Sequence, residues 1–264
     1  MKRNFFGKAR GKYFNESNNE QNHVSEKNGF RNALSRNNGK PVNAQTIMDD
    51  YLKSTEFLDY DRLEVRQFAE RNSGAKKSAT ENAVSLYYAV RDGFTYNPYT
   101  LDLRREGLRA SNLLTRKSGY CIEKAILLAA SARAVGIPSR LSFYNVKNHI
   151  ATERIEQILG TNGLVFHGAA ELFLDGKWLK TTPAFNRRLC EKLNVAPLEF
   201  DGTADSIFQQ FDESGATFMD YLHEYGAFAD FPYELALSEM RRHYPHIFQS
   251  DKYTCEPLVY DLKS

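Results

Sequence analysis

The most apolar stretch of the chain occupies residues 121–135, where most positions are alanine, leucine or isoleucine. Few polar residues interrupt this stretch, so the pattern predicts a helix that lies inside the fold rather than on its surface. Gly136 follows the stretch and Pro138 comes two residues later, which is the usual way for a helix to end.

A second pattern predicts a β-hairpin downstream of this helix. Residues 164–174 form a mostly apolar run that ends at Asp175-Gly176, a dipeptide typical of a two-residue hairpin loop, and residues 177–183 return antiparallel. If Asp175 and Gly176 are the loop, paired positions sum to 351, so that position 182 faces position 169.

The two patterns together contain a candidate catalytic pair. Cys121 is the first residue of the predicted helix, where unpaired backbone N–H groups and the helix dipole favour a thiolate and lower the pKa of a thiol. His167 lies on the first hairpin strand. A thiol with an imidazole beside it is the arrangement of a cysteine nucleophile. The alternatives are a small buried cysteine and a histidine that only packs on the sheet.

The hairpin register also indicates which residue orients the His167 ring. Thr182 is a diagonal neighbour of His167, and such neighbours lie roughly 7–8 Å apart at the backbone. Glu171 shares that face but lies about 13 Å along the strand, so we exclude it. Thr182 has an alternative interpretation as an ordinary β-branched strand residue.

Other segments complete a coarse map of the chain. A strand is predicted at 140–146, and an insertion at 151–163 with a helical stretch at 153–159 is expected near the cleft. His149 precedes this insertion and is interpreted as a loop residue in preference to a second site histidine. Helices are predicted at 44–52, 63–71, 81–92, 109–115, 188–193, 221–225 and 233–246.

These residues resemble the core of the transglutaminase-like superfamily. The resemblance rests on Gly119-Tyr120-Cys121, on the helix end at 134–141, and on His167 followed by Asp175-Gly176-Lys177-Trp178. It covers roughly residues 55–190. It implies an α+β, papain-like fold in which a cysteine helix packs on an antiparallel sheet that carries His and then Asp, with extra helices at both ends of the chain.

The chain departs from the family pattern at the acid. The resemblance places an Asp between Trp178 and Pro183, where this chain has Thr182. A hydroxyl accepts a hydrogen bond from an imidazole but carries no charge to stabilise an imidazolium. Three alternatives follow: a working Cys–His dyad, an acid recruited from elsewhere such as Asp201 or Asp205, or a degenerate site.

Composition divides the chain into three parts. Residues 1–43 contain nine Lys or Arg and three acidic residues, are rich in Asn, Ser and Gly, and are predicted to be a disordered basic tail. A transglutaminase-like core is expected at 44–187. Residues 188–264 are expected to form a helical extension that packs on the core, because they are too aromatic for a linker.

The remaining chemistry is sparse. Three cysteines, Cys121, Cys190 and Cys255, argue against a disulfide framework and for a reducing, cytoplasmic location. No metal spacing or phosphate loop is seen, so we expect no cofactor and no metal. The tail is interpreted as solvated, and we expect neither nucleic acid nor membrane as a partner.

The activity implied by the resemblance is acyl transfer through a thioester. We expect a cysteine hydrolase of peptide or amide bonds, with a peptide or protein amide as substrate. The alternatives are a degenerate binding module and an amine acyltransferase. Neither the oligomeric state nor the identity of the substrate follows from the sequence.

Overall fold

A computed structural model of the chain describes residues 48–149, 153–207, 219–249 and 256–259. The predicted tail and Cys255 lie outside these residues, as does the start of the predicted helix at 44–52, of which residues 48–50 are helical. The division of the rest of the chain at residue 187 stays a prediction.

The helices follow the apolar periodicity of the sequence closely. The helices are α1 (Leu63–Arg71), α2 (Ala79–Gly93), α3 (Ala110–Leu113), α4 (Cys121–Ala134), α5 (Glu153–Leu159), α6 (Arg187–Leu193) and α7 (Tyr233–His243). Helix α2 begins with a capping box, in which Glu81 N donates to Ser78 Oγ and Ser78 N donates to the Glu81 carboxylate.

The strands are β1 (Thr95–Tyr96), β2 (Thr100–Leu101), β3 (Ser118–Gly119), β4 (Ser139–Asn148), β5 (Gly163–Leu174), β6 (Lys177–Thr181), β7 (Met219–Phe228) and β8 (Leu258–Val259). Four of them form the main sheet, which is antiparallel and has the order β6-β5-β4-β7. The short strands pair outside it, β1 with β3 in parallel and β2 with β8 antiparallel. Helices packed on an antiparallel sheet confirm the predicted α+β class.

The predicted hairpin register is confirmed. Leu174 pairs with Lys177, and the pairing continues to Ala170 opposite Thr181. Strand β6 ends at Thr181, so Thr182 lies one residue beyond the ladder. The Thr182 N–H donates instead to Ser206 O, 3.0 Å away.

The predicted helix at 221–225 is wrong, because these residues lie within strand β7. Strand β7 pairs with β4, so that Leu141 faces Phe228 and Asn148 faces Met219. The backbone groups on this side of β4 need partners, and a strand supplies them where a helix does not. Tyrosine and phenylalanine also favour strands.

Helix α4 is the centre of the core. Every residue from Cys121 to Arg133 is buried, and the helix contacts α1, α2, α3 and the strands β4 and β5. Gly136 ends it with a φ of +79°, a left-handed conformation that glycine adopts without strain. The prediction of a helix enclosed on all sides is confirmed.

The two cations that α4 buries bind backbone carbonyls. Lys124 Nζ donates to Arg91 O, Phe94 O and Ala184 O at 2.7–2.8 Å. These three bonds hold the end of α2 and the loop before α6 against the cysteine helix. Arg133 binds carbonyls at the other end of α4 in the same manner, including Ser139 O at 2.8 Å.

Candidate active site

Cys121 is the first residue of α4, at the end of a tightly packed turn. Its neighbour Tyr120 donates its N–H to Glu123 Oε2 at 3.1 Å, and Glu123 pairs with Arg116. A Cβ atom on Gly119 would lie 2.6 Å from a methyl group of Leu113, so any other residue type would require the Leu113 side chain to shift. The turn therefore fixes the helix start, and with it the direction of the thiol.

Gly168 packs directly against the start of the cysteine helix. A Cβ atom at Gly168 would lie 3.0 Å from Ile122 Cα and 3.2 Å from Cys121 O, both of which are backbone atoms. Strand β5 and the first turn of α4 therefore touch at this glycine, one residue after His167.

A β-bulge lies immediately before His167. Between the pair Tyr144–His167 and the pair Val146–Leu164, β4 advances by two residues and β5 by three. Phe166 takes up the extra residue with a φ of +63°, a left-handed conformation that is rare for a bulky side chain. A bulge redirects the side chains beside it, and His167 is the residue that follows this one.

The bulge is held by the side chain of Asn145. The Phe166 N–H donates to Asn145 Oδ1 at 3.2 Å. The Asn145 amide donates to Tyr225 Oη at 2.9 Å, and Tyr225 Oη lies 2.8 Å from Glu239 Oε2. Strand β7 and helix α7 thus support the bulge through one asparagine.

Cys121 and His167 line the same pocket, which has a cavity volume of about 70 Å³. Its walls are aliphatic and aromatic, and both side chains are nearly inaccessible to solvent, with 8% of Cys121 and 2% of His167 exposed. Two buried polar atoms at the pocket, Tyr120 Oη and His167 Nδ1, have no hydrogen-bond partner within the described residues. The site thus offers a thiol, an imidazole nitrogen and a hydroxyl in an otherwise apolar enclosure.

The expected lowering of the Cys121 pKa is wrong for this structure. Burial raises the pKa of the thiol to about 11, although the N–H groups of Gly168, Ile122 and Cys121 itself act in the opposite direction. Removing a thiolate from water costs more free energy here than the hydrogen bonds from these backbone N–H groups contribute. Cys121 is therefore a neutral thiol at neutral pH.

Burial likewise keeps His167 neutral. It lowers the pKa of the imidazole to about 4, and no charged group acts against it. His167 Nδ1 has no hydrogen-bond partner among the described residues, so this nitrogen does not make the predicted bond to Thr182. Thr182 is buried, and the contacts of its backbone are with Ser206 and Tyr87.

The carboxylates considered from the sequence are bound elsewhere. Asp201 is exposed and accepts hydrogen bonds from Thr203, and Asp205 accepts one from Lys180 N. Glu171, which the spacing excluded, pairs with Arg140 at 2.6 Å. In the described parts of the chain, no carboxylate contacts His167.

Two further predictions concern residues outside the pocket. His149 lies 2.7 Å from Asp220 at the end of the sheet and does not line the pocket, in keeping with its interpretation as a loop residue. Cys190 is a buried residue of α6, in keeping with a packing role.

Sequence reasoning missed the residues that support the pair. In the sequence, Gly168 is only a glycine that follows a candidate histidine. A glycine inside a strand indicates that another backbone approaches closely, and this was the signal that could have identified it. Asn145 gave a weaker signal, a polar amide in an otherwise apolar strand. In the described part of the chain, no group of three His, Cys, Asp or Glu residues could hold a metal ion, and no helix is long and apolar enough to cross a membrane.

Comparison with known proteins defines the class to which this site belongs. The family model of the transglutaminase-like superfamily matches residues 66–183, from within α1 to just past β6, a span that includes Cys121 and His167. Residues 66–183 are therefore transglutaminase-like, and the resemblance drawn from the residues of the chain is confirmed for this part of it. The family match supports a protein of the cysteine-dependent hydrolase or acyltransferase kind.

Solved structures show more distant likenesses. One is a proposed cysteine protease from Cytophaga hutchinsonii, with 14% identity, a TM-score of 0.43, and coverage of 70% of this chain and 55% of that one. Another is a proposed protease from Parabacteroides distasonis, with 18% identity, a TM-score of 0.33, and coverage of 55% and 30%. The chain thus spans about half the length of the first and less of the second. No curated protein matches the chain.

Proposed function

We propose that this protein hydrolyses peptide or amide bonds through a thioester on Cys121, with His167 as general base and acid. The observation that carries the proposal is the convergence of the two side chains in one buried pocket, at the contact between Gly168 and the first turn of α4. The match of residues 66–183 to the transglutaminase-like superfamily supports the same chemistry.

The first half of the reaction forms the thioester. The Cys121 sulfur attacks the substrate carbonyl carbon while His167 takes the thiol proton, so a neutral thiol and a neutral imidazole are the starting forms. The C–N bond then breaks, and the imidazolium returns its proton to the departing amine. The N–H groups of Cys121 and Gly168 lie near the sulfur, where they can stabilise developing negative charge.

Hydrolysis of the thioester completes the cycle. Water attacks the thioester carbonyl and gives a proton to His167. The C–S bond then breaks, the acid product leaves, and the proton returns to the sulfur. An amine in place of water would give a transferase. Hydrolysis is favoured here because it needs only a water molecule and no second substrate site.

Activity-based labelling tests this proposal. A peptidyl acyloxymethyl ketone should modify Cys121 in the intact protein. The labelled protein is then digested, and the modified residue is located by mass spectrometry. His167→Ala should reduce the rate of labelling by about 10²-fold or more, since general acid–base groups contribute that much. Cys190→Ser is the matched control and should label like the wild type. Labelling of Cys121 that is indifferent to His167 would contradict the proposal.

The second candidate is a degenerate binding module, and one observation favours it. His167 Nδ1 has no partner among the described residues, and no described carboxylate supplies the charge that the family pattern places beside the histidine. A module of this kind would bind a peptide in the pocket without forming a covalent product. It would therefore bind the same probe reversibly, with no adduct on Cys121.

A further inference from the structure

We infer that the substrate of this site presents a bulky, uncharged apolar side chain, aromatic or branched aliphatic, next to the carbonyl that Cys121 attacks. This inference rests on the proposed function and extends it to a substrate class. It follows from the chemistry of the pocket walls, from the element that forms its roof, and from its size.

The walls of the pocket favour an apolar occupant. The described residues that line it include no Lys, Arg, Asp or Glu, and its histidine is neutral. A charged side chain placed here would lose its water shell and find no opposite charge, which is costly. An apolar side chain would lose only its contact with water, which is favourable.

The insertion noted in the sequence forms the roof of the pocket. Helix α5 is amphipathic: Ile155, Ile158 and Leu159 line the pocket and are partly buried, whereas Glu156 and Gln157 are exposed on the opposite face. The apolar face of a helix packs away from water, and here it faces the pocket that Cys121 and His167 line. The insertion thus selects the side chain that enters.

A second apolar surface closes the pocket from the C-terminal side. Tyr244, Ile247 and Phe248 line it after the end of α7. This segment is joined to α5 by His246 Nε2, 2.7 Å from Ile158 O, and to β5 by Tyr244 Oη, which donates to Gly163 O at 2.7 Å. The two apolar surfaces are therefore fixed relative to the strand that carries His167.

The size of the pocket fits a single side chain. Its cavity of about 70 Å³ is well above the roughly 10–15 Å³ that one water molecule needs, and well below the roughly 300–1,000 Å³ of pockets that hold whole small molecules. An alanine side chain would leave part of this cavity empty, and a void loses contacts with its walls. An aromatic or branched aliphatic side chain would fill more of it and remove more apolar surface from water.

A probe series tests the substrate class. Five peptidyl acyloxymethyl ketones are made identical except for the side chain beside the ketone, which is that of phenylalanine, leucine, alanine, lysine or aspartate. The measured quantity is the second-order rate constant for adduct formation on Cys121. The phenylalanine and leucine probes should react at least about tenfold faster than the other three.

Two substitutions on α5 localise the selection. Ile158→Glu should slow the phenylalanine probe about tenfold or more and should favour the lysine probe relative to it, because a carboxylate would then face the pocket. Gln157→Glu adds the same charge one residue earlier on the exposed face, and should leave all five rates unchanged. Ile158→Ala, which adds no charge, should slow the phenylalanine probe less, and serves if Ile158→Glu does not fold.

The possible outcomes separate the two proposals. Equal rates for all five probes, with labelling that still needs His167, would overturn the apolar substrate class and leave the cysteine mechanism standing. Faster reaction of the lysine or aspartate probe with wild-type protein would overturn it as well. Absence of any His167-dependent adduct, even with the alanine probe, would overturn the proposed function and the substrate class together.

Discussion

At the scale of single residues, the cysteine shows two opposing electrostatic effects. Its position at the start of α4 favours a thiolate, and this is the effect that the sequence made visible. Its burial favours the thiol. The sequence indicated that α4 is enclosed, but not that α5 and the segment after α7 line the pocket at its first residue. Burial prevails, and the pKa of Cys121 rises to about 11.

The alkylation rate of Cys121 should therefore keep rising with pH above neutrality. We expect the rate constant for iodoacetamide to increase from pH 7 through pH 10 without a plateau, because only the thiolate reacts and it forms only near the raised pKa. Cys190→Ser removes the other described thiol as a control. A plateau already reached near pH 7 would show that Cys121 and His167 form an ion pair in the resting protein.

The direction of the histidine should depend on Asn145. Asn145→Ala leaves the Phe166 N–H without its acceptor in a buried bulge, which should cost about 1–3 kcal/mol of stability. The bulge should relax, and a displaced imidazole should lower the labelling of Cys121 by a peptidyl acyloxymethyl ketone by about tenfold or more.

A matched substitution separates positioning from stability. Asn82 Oδ1 also accepts a backbone N–H, that of Gly74 at 2.9 Å, but it lies outside the pocket. Asn82→Ala should lower stability without lowering the rate of labelling in protein that remains folded. Equal loss of labelling in both variants would show that Asn145 acts only through stability.

At the scale of elements, the signals that worked were local ones. The Asp175-Gly176 turn fixed the register of β5 and β6, and the unbroken apolar run at 121–135 marked α4 as enclosed. Strand β7 was missed because its pairing with β4 joins residues far apart in the chain, and no short-range pattern reports such a pair. The bulge at Phe166 was missed for a related reason, since an extra residue is visible only against its partner strand.

The same distinction holds for the site. Cys121 and His167 could be proposed from the sequence as site residues because a helix start and a hairpin strand are both local features. The end of strand β6 at Thr181, one residue before Thr182, could not be predicted in this way. Pairing arithmetic is reliable within a strand and says nothing about where the strand stops.

The contact between α4 and β5 should tolerate no side chain at Gly168. Gly168→Ala places a methyl group 3.0 Å from Ile122 Cα, so the helix start must shift away from the strand. Overpacking of this kind should lower the free energy of unfolding by about 1–3 kcal/mol. It should also slow the labelling of Cys121 by the peptidyl probe, because the thiol moves away from His167.

Gly93→Ala is the control for this experiment. A Cβ atom there meets nothing within 4 Å, so the same chemical change occurs without a clash. Its stability should stay equal to that of the wild type or rise by a few tenths of a kcal/mol. If Gly168→Ala behaves like Gly93→Ala in both measurements, strand and helix are not held together as tightly as their contact indicates.

At the scale of the whole molecule, the core buries ionisable groups around the cysteine helix instead of excluding them. Lys124 donates to three backbone carbonyls, two at the end of α2 and one in the loop before α6, and burial lowers its pKa to about 7. Glu123 is buried beside Arg116, and burial raises its pKa to about 7. Such groups connect the helix to its neighbours by directional bonds, and they also make stability depend on pH.

His167 should make the folded state sensitive to acid. Burial lowers the pKa of its imidazole from the ordinary value of 6.5 to about 4. Between these values the unfolded chain binds a proton that the folded chain does not bind. The free energy of unfolding should therefore fall as the pH falls from 6.5 to 4, with a contribution from this residue of about 3 kcal/mol.

Other groups titrate in the same interval, so the test must isolate His167. Glu123 has a raised pKa, and its contribution to stability falls as the pH rises from 4.5 to about 7, opposite to that of His167. His167→Gln removes the imidazole and leaves Glu123 in place. Urea unfolding at several pH values from 4 to 7 should show the variant gaining stability relative to the wild type as the pH falls. Parallel curves for the two proteins would mean that His167 titrates alike in the folded and unfolded states, and that the pocket around the catalytic pair is open to water.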